Sequence, residues 1–172
     1  HHDIRITLNP KKNEIRVKDT LTLPDNGKSA FSIQLNELFH LRYKKRPLHP
    51  AQTANGTSHY HLAVDDTRTL ELSYKAKLSS TKDCAWLKEA CVKLDKDGVY
   101  LDSNSHWYPH IEGVLHRFDM EVKLPKKWVS LSQGEQTKNG WKEDKPQRVV
   151  VSFGPEHAPL EQRQVALAIE EA

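Results

Sequence analysis

The chain has 172 residues, 37% hydrophobic and 28% charged, and its 26 Lys and Arg against 23 Asp and Glu leave a formal charge of +3. That is enough material for one core and too small an excess for the broad basic field of a nucleic-acid binder. No apolar run approaches the roughly eighteen residues of a membrane span, so the expectation is one soluble domain over residues 1–172, with cytoplasm and periplasm both open as compartments.

The sequence begins His1-His2 with neither initiator Met nor signal peptide, which reads as a piece of a longer protein, the two histidines being either a tag remnant or native. Ile4, Ile6 and Leu8 then alternate on one face of a strand that stops at Asn9-Pro10. Ile15, Val17, Leu21 and Leu23 repeat the pattern, with Asp19 the one polar residue on that face, so the two strands are expected to form a hairpin. Phe31, Ile33 and Leu35 predict a third strand, and Leu41 with Tyr43 a short fourth. A polar loop follows, carrying the basic cluster Arg42, Lys44, Lys45 and Arg46, read as solvated, and turning at Asn55-Gly56. Tyr60, Leu62 and Val64, Asp65-Asp66, and then Leu70, Leu72, Tyr74 and Ala76 predict a second hairpin.

One stretch departs from period two. Trp86, Leu87, Ala90, Cys91 and Leu94 fall at helical spacing, and Ser80 with Asp83 three residues later matches a capping box, so a short helix is expected. On such a helix Cys84 and Cys91 would stand about 10 Å apart by helical rise, beyond disulfide reach, and they are read as buried thiols. Strand signals return at Val99 to Leu101, at Phe118, Met120, Val122 and Leu124, at Val129 and Leu131, and at Val149, Val151 and Phe153. Val165, Leu167 and Ile169 alternate within a segment of good helix formers and are read as a last strand. The whole is mainly β, an antiparallel sandwich or related open barrel with one short helix.

Reactive constellations are scarce. His59 and His61 share a strand face, a pair that suits a metal but lacks a third ligand at any recognised spacing, so the reading is a solvated face. His110-Ile111-Glu112 with His116 imitates a zinc-protease helix, but the histidines are six apart rather than four and Gly113 interrupts them. Seven glycines in all leave no phosphate-cradling loop, and there is no Gly-x-Ser-x-Gly. Asn55-Gly56-Thr57 matches a glycosylation sequon, a triplet that also arises by chance. No catalytic residue and no metal ligand is assigned.

The most concentrated stretch is GVYLDSNSHWYPHIEG, Gly98 to Gly113. Pro109 cannot donate to a sheet ladder and holds Tyr108 extended, so the chain leaves its strand there, and Trp107 and Tyr108 are bodies large enough to fill a corner. Packing is the first reading for this pair and contact with a bound peptide the second. Asp102 and Asn104 are the exposed polar candidates, with Tyr100 beside them.

The order HHDIRITLNPKKNEIRVKDTLTLP, LELSYKAKL, GVYLDSNSHWYP, FDMEVKLPKKWVSLSQGE resembles the N-terminal β-domain of the aminopeptidase N family of zinc metallopeptidases, over Asp3 to about Ile169. The matching features are Asp19 to Leu21 before a strand, Leu72 to Tyr74, the Tyr108-Pro109 pair, and Val122 to Trp128 leading to Ser132 to Gly134. The resemblance implies a saddle-shaped β-domain packed on a separate, mostly helical catalytic domain that holds the zinc, with this chain forming one wall of the peptide substrate's cleft and holding no cofactor. Tyr100, Asp102, Asn104, Trp107 and Tyr108 are the substrate-cleft candidates it implies. Family members carry a Gln or Glu just upstream of the aromatic-Pro pair, whereas residues 100–105 contain neither, which resembles a divergent bacterial branch. The competing reading is a free-standing β-sandwich module that binds peptide, glycan or protein.

Overall fold

Alternating burial is realised as strand pairing from the second residue onward in a computed structural model that describes residues 1–25, 29–78, 80–81, 92–95 and 98–156. Strand β1 (His2–Asn9) turns His2, Ile4, Ile6 and Leu8 inward, and β2 (Glu14–Thr22) turns Ile15, Val17, Asp19 and Leu21 inward. They pair antiparallel from His2 opposite Leu21 to Asn9 opposite Glu14, the expected hairpin. Its turn follows from local chemistry: the Asn9 side chain accepts from the Lys12 backbone N–H at 3.1 Å, Pro10 starts a short 3-10 turn, and Asn13 takes a left-handed conformation (φ 52°) that asparagine tolerates.

The next strands are β3 (Ala30–Asn36), β4 (His40–Tyr43), β5 (Arg46–Pro47), β6 (Gln52–Ala54), β7 (Thr57–Ala63) and β8 (Thr69–Lys77). The stretch read as a polar loop therefore contains two short strands. Its basic cluster is the exposed β4–β5 tip, and Asn55-Gly56 turns β6 into β7 with φ of 51° and 78°.

The expected second hairpin is corrected. β7 pairs with β3 and β6, whereas β8 pairs with β2 and β4, so the chain changes sheets between them. Period two tells which side chains point inward but not which strand lies alongside. The crossing is fixed by Asp65, whose carboxylate accepts from the Thr67 backbone N–H at 3.2 Å, and by Arg68 in a left-handed conformation.

Further on lie β9 (Ser80–Thr81), β10 (Val92–Asp95), β11 (Gly98–Leu101), β12 (His116–Lys123), β13 (Trp128–Ser132), β14 (Glu135–Gln136), β15 (Gly140–Gln147) and β16 (Val151–Pro155). Most of the expected helix lies outside the described residues. At its flanks β9 and β10 are paired, so Leu94, assigned to that helix by spacing, is a buried strand residue. Cys84, Cys91 and the strand expected at Val165 to Ile169 also lie outside the described residues.

Three sheets result, an eight-stranded one ordered β14-β15-β12-β1-β2-β8-β4-β5, a five-stranded one ordered β13-β16-β11-β10-β9, and a three-stranded one ordered β3-β7-β6. The mainly β, mostly antiparallel architecture is as expected, with one exception in that β12 runs parallel to β1, from His2 beside Phe118 to Thr7 beside Lys123. The inward faces share one core that includes Ile4, Ile33, Leu70, Leu94, Leu101, Phe118 and Phe153.

Strand β15 escaped the pattern reading, since GWKEDKPQ offers one large apolar side chain, Trp141. It is held by register rather than by apolar alternation. Trp141 sits opposite Met120, and a Cβ on Gly140 would lie 1.8 Å from the Met120 carbonyl oxygen. Gly140→Ala is therefore expected to lower the denaturant midpoint by the equivalent of about 1–3 kcal/mol, as for other overpacked sites, as measured in a urea titration with the wild-type chain alongside.

Candidate functional site

The stretch from Gly98 to His116 is a corner that closes one end of the core. Strand β11 stops at Leu101, and Asp102 then caps a 3-10 turn (Ser103–Ser105), accepting from the Asn104 backbone N–H at 2.9 Å. His106 follows in a left-handed conformation (φ 53°). Three ties fasten the corner to β3: the Asn36 N–H donates to the His106 carbonyl at 2.7 Å, the Asn36 side-chain amide donates to the Ser105 carbonyl at 2.9 Å, and Gln34 and His110 exchange backbone hydrogen bonds of 2.8 Å each. Trp107 and Tyr108, between the ties, are both 0% exposed. One residue satisfies the polar ends of both rings, because the Trp107 indole N–H donates to the Val149 carbonyl at 2.9 Å and the Tyr108 hydroxyl accepts from the Val149 N–H at 3.3 Å. Of the two readings of this pair, packing is the one the geometry supports, since a fully covered ring presents nothing to a peptide.

Beneath Tyr108 lies a polar cluster inside the core. Asp19 and His2, on neighbouring strands, have wholly buried side chains, with Asp19 Oδ2 2.8 Å from His2 Nδ1. His2 Nε2 is 3.0 Å from His116 Nδ1, and His116 is 2% exposed. Tyr108 meets the His2 and His116 rings edge-on, with centroids at 5.4 and 5.7 Å, and His110 lies 5.8 Å from His116 and 5.1 Å from His106. Burial, with the neighbouring His106, Arg148 and His2 charges, lowers His110 to about 4. Burial, with His2, His110 and the chain's own ammonium, lowers His116 to about 3. Tyr74, fully buried on β8, is raised well above the ordinary tyrosine value by burial and by the Asp19 charge.

This cluster went unrecognised in the sequence. Its one signal was Asp19, a carboxylate in a row of inward aliphatics; His2 was set aside as a terminal residue and His116 as part of a failed zinc motif. That rejection stands on geometry, for His110 and His116 meet in the corner rather than on a helix, with Glu112 exposed and Gly113 turning the chain at φ 74°. His59 is half-buried and His61 exposed on β7. Among the described residues no group of three or more His, Cys, Asp or Glu is placed to hold a metal ion.

The other cleft candidates face outward. Tyr100 is half-buried beside Ser152 and Lys93 on the outer face of the five-stranded sheet, its hydroxyl pushed up to about 12 by burial and the Asp102 charge. Asp102 is half-buried and Asn104 exposed, and the Asn104 side-chain Oδ1 accepts from the Arg148 guanidinium. Gln133 accepts from the Val150 N–H at 3.0 Å and donates to the Arg148 carbonyl, which steadies the segment bearing Arg148. The candidates thus divide into a covered pair, Trp107 and Tyr108, and a polar lip of Tyr100, Asp102 and Asn104. The lip can hydrogen-bond a ligand but holds no nucleophile beside a base.

No protein-family model and no curated protein matches the sequence. Solved structures do match the fold. An M1 zinc metallopeptidase from Deinococcus radiodurans, crystallised as a mutant bound to a Tyr-Ser-Ala substrate, superposes with a TM-score of 0.57 at 15% identity, over 90% of this chain and 41% of that one. An aminopeptidase N family protein from Idiomarina loihiensis gives 0.53 at 12% identity, over 90% and 29%, and native yeast LTA4 hydrolase gives 0.52 at 13%, over 90% and 28%. The chain has the fold found in these proteins and spans about two-fifths or less of their length. The resemblance drawn from the sequence is met at the level of fold.

Because Trp107 fills the corner, Trp107→Ala should cost about 3–5 kcal/mol, the range for large aromatic truncations. Tyr108→Phe keeps the ring but leaves the Val149 N–H buried without an acceptor, and should cost about 1–3 kcal/mol. Chemical denaturation of both variants checks the order, and a Trp107→Ala midpoint equal to wild type would remove the corner from the core.

Proposed function

We propose that this chain is the N-terminal β-domain of an aminopeptidase N-like zinc metallopeptidase, supplying no reacting group itself, packing on a catalytic domain outside this chain, and forming one wall of a peptide cleft. The observation that carries the proposal is the fold match over 90% of this chain to M1 enzymes more than twice its length, one of them with a tripeptide substrate bound. Zinc does not fit the residues present, since no three ligands converge among the described ones, and its place is assigned to the catalytic domain.

The outward faces support the choice of docking side. The eight-stranded sheet shows solvent a mosaic of both charges, with Arg5 3.6 Å from Glu121, Lys75 3.5 Å from Glu14 and His1 3.1 Å from Asp119. Such a face is already satisfied by water and by its own neighbours. The five-stranded sheet instead has Tyr100, Leu131 and Val129 on its outer face, Leu131 half-buried against the core and Val129 37% exposed, among the few large apolar side chains left uncovered in the described residues. An apolar stripe beside a polar lip is the arrangement expected where a domain docks next to a substrate path. In this reading Asp102 and Asn104 contact the polar groups of the bound peptide, and Tyr100 joins stripe to lip.

Two measurements test the proposal. The purified chain, given zinc and an aminoacyl chromogenic substrate, should show no turnover, and clear hydrolysis would refute it. In a binding assay against the separately produced catalytic domain, Val129→Glu should weaken association at least about tenfold, equivalent to 1.4 kcal/mol, while Arg5→Glu on the opposite face leaves it unchanged; the reverse order would place docking on the wrong sheet.

A further inference from the structure

We infer that the His2–His116–His110 chain of imidazoles is an acid-released latch that fastens the corner, residues 102–115, to the ends of β1, β2 and β12. His2 Nδ1 donates to Asp19 at 2.8 Å, and across the 3.0 Å contact between His2 Nε2 and His116 Nδ1 one nitrogen must donate and the other accept. With both rings neutral, His116 donates and its Nε2 carries a bare lone pair. A proton added at His116 Nε2 becomes a buried N–H with no acceptor, and one added at His110 Nδ1 meets the same lack, so protonating the two rings forces the corner to open.

Nothing nearby relieves this. His116 Nε2 and His110 Nδ1 are both buried without a hydrogen-bond partner among the described residues. The groups that face the latch come from every side: Asp19 on β2, Tyr74 on β8, Tyr108 and His106 in the corner itself, Arg148 before β16, His59 across from His106, and the chain's ammonium with Arg117 near the start of β12. Asp19 is the one acid in this set. The cations Arg148 and the ammonium oppose further protonation, in line with the lowered values of His110 and His116.

The sign follows. His110 and His116 bind protons more weakly in the closed corner, about 4 and about 3, than at their ordinary value of 6.5, so the closed corner is favoured above 6.5 and loses its advantage as pH falls toward 4. The opened element is the corner rather than the whole sheet. The hydrogen bonds that hold it down are the ties to β3, those to Val149, and the Thr57–His106 and Arg148–Asn104 contacts, fewer than along β1, which is paired with strands on both sides. The functional consequence, loss of the Asp102 and Asn104 lip in acid, rests on the proposed cleft role. The latch itself does not.

Amide NMR of the complete chain between pH 7.5 and 4 tests it. The amides of Gln34, Asn36, His110 and Val149 should change in a single step that takes up about two protons, while those of Ile6 and Val17 keep their native positions. His116→Phe should move that step at least one pH unit lower; His110→Asn, at a half-exposed position, should shift it in the same direction if the first variant does not fold. The inference is overturned if the corner amides stay fixed down to pH 4, if all amides are lost together, or if the folded variants keep the wild-type midpoint. Each of these outcomes leaves the docking assay to succeed or fail on its own.

Discussion

A carboxylate placed on an apolar strand face must be hydrogen-bonded or it costs the fold several kcal/mol. Asp19 is such a carboxylate, between Val17 and Leu21 on the inward face of β2. Its partner cannot come from its own strand, where side chains on one face stand two residues apart and its neighbours there are aliphatic. It comes from His2 on β1, one diagonal step across the antiparallel register, and His2 in turn engages His116 on β12, the strand that pairs parallel to β1. A single buried charge therefore ties together three neighbouring strands, including the one parallel pairing of the eight-stranded sheet. The corner then has to cover this polar patch, and Tyr108 does so with its ring while anchoring its hydroxyl to Val149.

The same burial separates structure from chemistry in this domain. The residues that look most reactive as a set, an aspartate, three histidines and two tyrosines, lie at the corner, and its innermost members, Asp19, His2 and His116, have no usable exposure. A general base that no substrate reaches does no catalysis, and among the described residues no three His, Cys, Asp or Glu side chains are placed to hold a metal ion. What the molecule offers a partner lies on its outside, in the unequal character of its two large sheets. One is covered by intermixed charges, and the other carries an apolar stripe that ends at the polar lip.

How much of this was readable follows from what each pattern encodes. Period-two alternation marks a half-buried strand because one face must be apolar, and it located β1, β2, β3, β8 and β12 directly. It encodes no neighbour, which is why β7 and β8 were joined as a hairpin although they belong to different sheets, and why the parallel seat of β12 beside β1 was not foreseen. Strand β15 has almost no apolar alternation to detect, being held by Gly140 passing close to the Met120 carbonyl and by Trp141 reaching Ser130 Oγ at 3.0 Å. The packing role of Trp107 and Tyr108 was legible because Pro109 forces the chain to turn where two large rings need cover. The polar cluster was not, since its members stand far apart in sequence, and only the out-of-pattern Asp19 hinted that something had to answer it.

Burying Asp19, His2 and His116 on one sheet face is a costly arrangement. Aliphatic side chains at the three positions would fill the same space without burying a charge, and buried ion pairs replaced this way often gain stability. What they would lose is direction: a hydrocarbon contact tolerates sliding, whereas the Asp19–His2 and His2–His116 hydrogen bonds form in one register of β1 against both β2 and β12, and a one-residue slip would carry His2 to the opposite face. The corner that bears Asp102 and Asn104 starts at the end of β11 and terminates in β12, so whatever sets the register of β12 also sets where the lip sits relative to the apolar stripe. On this account the cluster is held for placement, and its sensitivity to protons is the consequence of building a positioning device from imidazoles.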